Sequence, residues 1–152
     1  MNIFVLDYCP VKSARMLCDK HVVKMPLETA QMLCTILHQN GIDAPYRPTH
    51  RNHPCTIWAG RSFMNFQWLV KHGIELCREY EFRYGKSHKC LEVIQYCHDN
   101  MPTFANYGST SFALAMPDEY KTYGAVASYQ NYYLNAKAHL LKYTRRETPN
   151  FL

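Results

Sequence analysis

No run in this 152-residue chain approaches the roughly 18 consecutive apolar residues of a membrane-spanning helix, and no apolar leader-like region opens it. Cysteine pairs spaced C-x2-C and the H-E-x-x-H motif are both missing. A structural zinc or a zinc hydrolase would need them, so no metal is expected, although His50, His53 and Cys55 stand close together and Cys90 and Cys97 add thiols. Glycine loops that cradle phosphates are missing too, and no cofactor is expected. There is no internal repeat and no low-complexity segment.

What is present is the composition of a folding chain. Nearly half the residues are apolar, with 12 Tyr, 7 Phe and 7 Met. A chain of this length can bury roughly two thirds of its unfolded surface, so one domain spanning residues 1–152 is expected. Seven cysteines, an odd number, point to free thiols in a reducing, cytoplasmic setting, which is a host cytoplasm if the protein is viral. The formal charge of +5, from 17 basic and 12 acidic side chains, favours an anionic partner such as DNA or a nucleotide and gives no reason to expect a membrane.

Helical signals dominate the chain in order. Ile3 to Leu6 reads as a short strand or a tucked-in extended segment, and a first helix follows over about Val11 to Cys18. Asn40 and Gly41 stop a longer helix that begins after Cys18, with Pro26 either opening it near Lys24 or kinking it. Residues 41–53 form a loop rich in Pro, Arg and His. Pro54 to about Tyr84 reads as one long helix with weak points at Gly60 and Gly73, where a bend or break is expected. Ser87 to Asn100 is a further helix, residues 101–117 a long loop of the functional or mobile kind, and Gly124 to Tyr143 the last helix. The reading is all-α: a compact domain of about four to five helices with long loops.

The organising segment is Cys18 to Gln39. On a helical wheel Val22, Val23, Leu27, Ala30, Leu33, Cys34 and Leu37 fall on one side, and His21, Lys24, Glu28, Gln31 and Thr35 on the other. An imidazole, an amine and a carboxylate at i, i+3 and i+7 can reach a shared ligand; equally, such a stripe can be a solvated face with a surface pair between Lys24 and Glu28. A second group alternates basic side chains with rings that stack on bases: Arg47, His50, Arg51 and His53 in the loop, and Tyr143, Arg145, Arg146 and Phe151 in the tail. The tail admits another reading, in which Tyr143 and Phe151 anchor the chain end and the arginines are solvated.

These landmarks, taken together, are similar to a known family. MNIF at the start, an early helix with His and Glu seven apart, RNHPCTIW, ELCREYEFRYG, MPDEYK and the closing KYTRRETPNF resemble, in order, the pyrimidine-dimer DNA glycosylases of phages and their bacterial relatives. The chain also resembles small uncharacterised phage proteins. The resemblance implies a compact helical domain that extrudes a nucleotide, attacks the sugar C1′ with an N-terminal amine, and opens the ring through a Schiff base with help from one glutamate. The α-amines, as a class, titrate near 8, so far more is unprotonated at neutral pH than for lysines.

Carried onto this chain, the resemblance puts the carboxylate on Glu28, with His21 as its companion; aligned on Pro26 instead, it would put Lys24 there. The amine is Met1, because Asn2 is a poor context for methionine removal, or else Lys24. The alternative function keeps the grip without the chemistry: a phage protein that binds and sequesters a nucleotide or nucleotide-derived signalling molecule against host defence. A DNA-binding accessory protein without a pocket is a third reading.

Overall fold

The computed structural model describes residues 1–152, and all its regular secondary structure is helical. Six α-helices follow one another: α1 (Pro10–Met16), α2 (Asp19–Gln39), α3 (Pro54–Gly60), α4 (Phe63–Tyr84), α5 (Leu91–Asp99) and α6 (Ala125–Ala136). Two short 3-10 turns, Asp118–Tyr120 and Ala138–Leu140, flank α6.

Proline and glycine punctuate these elements where local chemistry demands. Pro10 and Pro54 each occupy the first turn of a helix, where a missing N–H leaves nothing unsatisfied. Gly85 ends α4 at φ +72°, a left-handed conformation that side chains disfavour. The long helix expected from Pro54 to Tyr84 is interrupted after Gly60. There Ser62 turns extended and its hydroxyl accepts from the Asn65 N–H at 3.1 Å, capping α4 anew. That single break explains why six helices stand where about four to five were expected.

One further expectation is narrowed and two need correction. Of the two readings of the opening residues the strand is the one to drop; they are the tucked-in extended segment, buried over the face of α2. The fourth expected helix starts at Leu91, not Ser87, because the His88 ring bonds the Val23 carbonyl at 2.9 Å and holds residues 86–90 in a turn. The last helix stops at Ala136 instead of Tyr143. Past it the chain is recruited by the free N-terminus of α2: the Asp19 N–H donates to the Lys142 carbonyl at 2.8 Å, and the Asp19 carboxylate accepts from Thr144 N–H at 2.9 Å and its hydroxyl at 2.6 Å.

Helix α2 runs unbroken through Pro26 and lies at the centre, packed on α3, α4 and α5, while α1 packs on α4. Its contact with α4 is close at Gly73, where a Cβ would stand 2.7 Å from Thr29 Cγ2 and 3.0 Å from Ile94 Cδ1. One cluster of 29 buried apolar residues, including Leu6, Met32, Leu33, Phe66, Leu69 and Tyr133, forms the core. Burying a large aliphatic or aromatic side chain in such a core is worth about 1.5–3 kcal/mol.

The long loop over residues 101–117 is tied down. Asn65 donates to the Trp58 carbonyl at 2.8 Å and the Thr110 hydroxyl at 2.7 Å, and accepts from the Thr110 N–H at 3.0 Å. The Tyr129 hydroxyl donates to the Ala113 carbonyl at 2.7 Å. No helix is long and apolar enough to cross a membrane.

Candidate functional site

Burial on α2 does not follow its apolar wheel. Val23 and Leu27, on the apolar side, are 45% and 42% exposed, whereas His21 and Glu28 are each 6% exposed and Thr35 is fully buried. The cause is the opening segment, which lies over His21 and Glu28, and the loop after α2, whose Thr49 covers Thr35. Only Lys24 keeps its side chain largely in solvent.

Asn2 sets the path of that segment. Its side-chain oxygen accepts from the N–H groups of Ile3 at 2.7 Å and Phe4 at 3.2 Å, and its amide donates to the Ala115 carbonyl at 2.7 Å. Phe4, at φ +60°, is stacked on the His21 ring with centroids 4.2 Å apart. The two ends of the segment are thereby registered against α2, Phe4 on His21 and Met1 on Glu28.

At the Met1 end the α-ammonium stands 3.3 Å from Glu28 Oε1, which also accepts from the Asn2 N–H at 2.9 Å. The Lys24 ammonium is 3.5 Å from the other oxygen, Oε2, which is buried and accepts no hydrogen bond. Two amines therefore flank one buried carboxylate, whose Oε2 is ion-paired with Lys24 but accepts no hydrogen bond. Such an oxygen can take a proton from an amine or steady a cation forming close by.

His53 closes the group from the loop side. Its Nδ1 accepts from the Cys55 N–H at 3.1 Å, capping α3. Burial first, then the Met1 ammonium and His50, hold its imidazole below the usual value, with Glu28 opposing them. The loop is pinned to α2 by Thr35, whose hydroxyl donates to the Thr49 carbonyl at 3.0 Å and accepts from the Thr49 N–H at 2.9 Å. Arg47, His50 and Arg51 are exposed on it.

His21 is differently placed. Its Nδ1 meets the Tyr133 hydroxyl, which in turn accepts from the Cys18 N–H at 3.2 Å. Burial, with smaller contributions from Lys137 and Lys24, pushes its pKa down to about 4, so the ring is neutral at pH 7. Its contacts position Phe4 and the opening segment.

The tail residues lie elsewhere, at the start of α2, roughly 13 Å along the helix from Glu28. The Tyr143 hydroxyl donates to the Met16 carbonyl at 2.6 Å. Arg146 is bidentate on Glu79, at 2.9 and 2.8 Å, and both Arg145 and Arg146 lie over the Phe82 ring. Of the sequence candidates, the fold gathers Met1, Lys24, Glu28 and His53 and leaves Tyr143, Arg145 and Arg146 outside the group. The histidines, cysteines and carboxylates form no group of three suited to a metal.

Some neighbours carry no signal in the sequence. Asn2 fixes the opening turn, Tyr133 holds His21, and Lys137 lies 6.0 Å above the Phe4 ring. Tyr133 and Lys137 come from α6 and just past it, more than 100 residues away along the chain, and no local spacing announces them.

Comparison with known proteins adds one match. A family model described as pyrimidine dimer DNA glycosylase matches residues 1–92, the part that holds α1 to α4 and every member of the Met1, Lys24, Glu28 and His53 group. No curated protein and no solved structure matches the chain.

Proposed function

This chain belongs to the pyrimidine dimer DNA glycosylase family, and from that premise we propose that it acts on a modified or damaged nucleotide in DNA as a glycosylase and lyase, using an amine and Glu28. The observation that carries the reading is the Met1 nitrogen 3.3 Å from a carboxylate whose second oxygen is buried and without a hydrogen-bond partner. Glu28 takes a proton from the α-ammonium, and the freed lone pair attacks C1′ of the extruded nucleotide. The C1′–N glycosidic bond breaks and its electron pair leaves with the base, which is protonated. The C1′–O4′ bond then opens, O4′ takes a proton, and C1′ and the amine are joined as an imine. Loss of a proton from C2′ of the imine then breaks the C3′–O3′ bond, whose electron pair leaves with the 3′-phosphate, and water hydrolyses the resulting unsaturated imine and returns the amine.

In this reading Lys24 is the alternative amine, 3.5 Å from the same carboxylate. His21 acts through Phe4 as a positioning residue, and Arg47, His50, Arg51 and His53 offer positive or hydrogen-bonding groups to the DNA backbone. Tyr143, Arg145 and Arg146 are assigned to holding the chain end.

Sodium borohydride with duplex DNA bearing an abasic site tests the chemistry. A reduced covalent adduct is expected, with turnover lost in Glu28→Gln by about 10²-fold or more. No adduct on any abasic or damaged duplex would remove the enzymatic reading. A second reading, a nucleotide-binding phage protein that withholds its ligand from a host response, is favoured by a lysine-rimmed hollow beside Lys24. It expects tight binding of a nucleotide that is returned intact.

A further inference from the structure

The outward face of α2 borders a hollow of about 600 Å³, a size suited to a small organic ligand. Val23 and Leu27, one turn apart and both exposed, line it together with Tyr46 and Tyr80. Lys24, Lys86 and Lys89 stand among its lining residues, and no carboxylate does.

The hollow is built in advance by His88. Its Nδ1 accepts from the Cys90 N–H at 3.1 Å, which leaves Nε2 to donate to the Val23 carbonyl at 2.9 Å. Its ring also meets Tyr80 edge-on at 4.8 Å. The turn carrying Lys86 and Lys89 is thus clamped to α2, and little ordering remains to oppose binding.

We propose that this hollow binds a nucleoside 5′-monophosphate, its base against Val23 and Leu27 between the tyrosines and its phosphate on Lys86 and Lys89. An apolar lining that includes rings suits a planar base, and a rim of ammonium groups without carboxylates suits a dianion. Lys24 joins the hollow to the proposed catalytic pair, because it lines the hollow while its ammonium is 3.5 Å from Glu28 Oε2. A phosphate held by Lys86 and Lys89 also attracts the Lys24 ammonium away from Glu28, so the two sites are coupled reciprocally. The inference deepens the nucleotide-binding reading and does not require turnover at Met1.

Titration calorimetry with dAMP and dTMP tests it, with deoxyadenosine, inorganic phosphate and a single-stranded 12-mer as the other arms. Mononucleotide binding is expected to weaken about tenfold or more when the phosphate is absent, in Lys86→Ala/Lys89→Ala, and in Leu27→Glu, which places a carboxylate in the lining. Glu28→Gln is expected to tighten it about threefold, by releasing Lys24. No binding up to 1 mM mononucleotide, binding confined to the 12-mer, or affinity unmoved by both pocket variants would overturn the proposal. Borohydride trapping is a separate readout: an adduct without mononucleotide binding sinks the hollow alone, and binding without an adduct sinks catalysis alone.

Discussion

Leaving a Gly-Ser dipeptide ahead of Met1 moves the free α-amine about 7 Å along an extended chain. The present amine is 3.3 Å from Glu28 Oε1, and the same oxygen accepts from the Asn2 N–H at 2.9 Å. In the extended protein the Met1 nitrogen becomes an amide that can still donate to Glu28, so the segment keeps its path over α2. Only the charge and the nucleophile leave. Misplacement by about 1 Å can cost a hundredfold in rate, so a displacement several times larger should abolish trapping by the α-amine within detection. Stability should fall by about 1–3 kcal/mol, less than for a fully orphaned buried charge, because Lys24 stays 3.5 Å from Oε2. At this chain length that is a drop of roughly 2–4 °C in Tm per kcal/mol. Borohydride trapping, followed by mass spectrometry of the labelled peptide, checks the outcome. If the extended protein traps abasic DNA at the unextended rate, the α-amine is not the nucleophile. The label should then map to Lys24, and Lys24→Ala should remove it.

Two further expectations concern the scaffold. His21 and the fully buried His72, whose ring nitrogens have no partners and which is stacked on Trp68, are pushed by burial to about 4 and about 3, both below the ordinary 6.5. Their folded pKa values are depressed, so the stability they contribute is complete above pH 6.5 and declines as pH falls toward 4, by up to about 1.4 kcal/mol per pH unit for each. Urea unfolding between pH 7 and 4.5 should show this slope, and His72→Leu should flatten it; an unchanged slope in that variant contradicts the assignment. Gly73→Ala should destabilise by about 1–3 kcal/mol despite its gain in helix propensity, because its Cβ meets Thr29 Cγ2 at 2.7 Å. Adding Thr29→Ser removes that methyl and should restore part of the loss in a thermal melt.

The punctuation of the fold was legible because it is local. Pro54, Asn40 and Gly41 act through their own backbone preferences, and the break after Gly60 lay at an expected weak point. Helix ends that depend on distant partners were not legible: α6 stops at Ala136 because Asp19 of α2 bonds the backbone of Lys142 and Thr144, and α5 starts at Leu91 because the His88 ring is drawn to the Val23 carbonyl of α2. The stripe of His21, Lys24 and Glu28 was visible as a pattern, but its direction was not. A wheel reports two sides of a helix, and α2 is covered on more than two.

By itself, then, the sequence determined that the chain is helical, where most helices are punctuated, which family its landmarks resemble, and which α2 residues carry charge. Only the tertiary structure decided that the chain's first amine meets Glu28, that His21 is buried against Phe4 and Tyr133, and that the arginines of the tail lie at the other end of α2. The physical reason is range. Backbone preferences and helical periodicity act over a few residues, whereas the Met1 and Glu28 contact spans 27 positions and the Tyr133 contact 112, and such pairs are chosen by how the whole core packs.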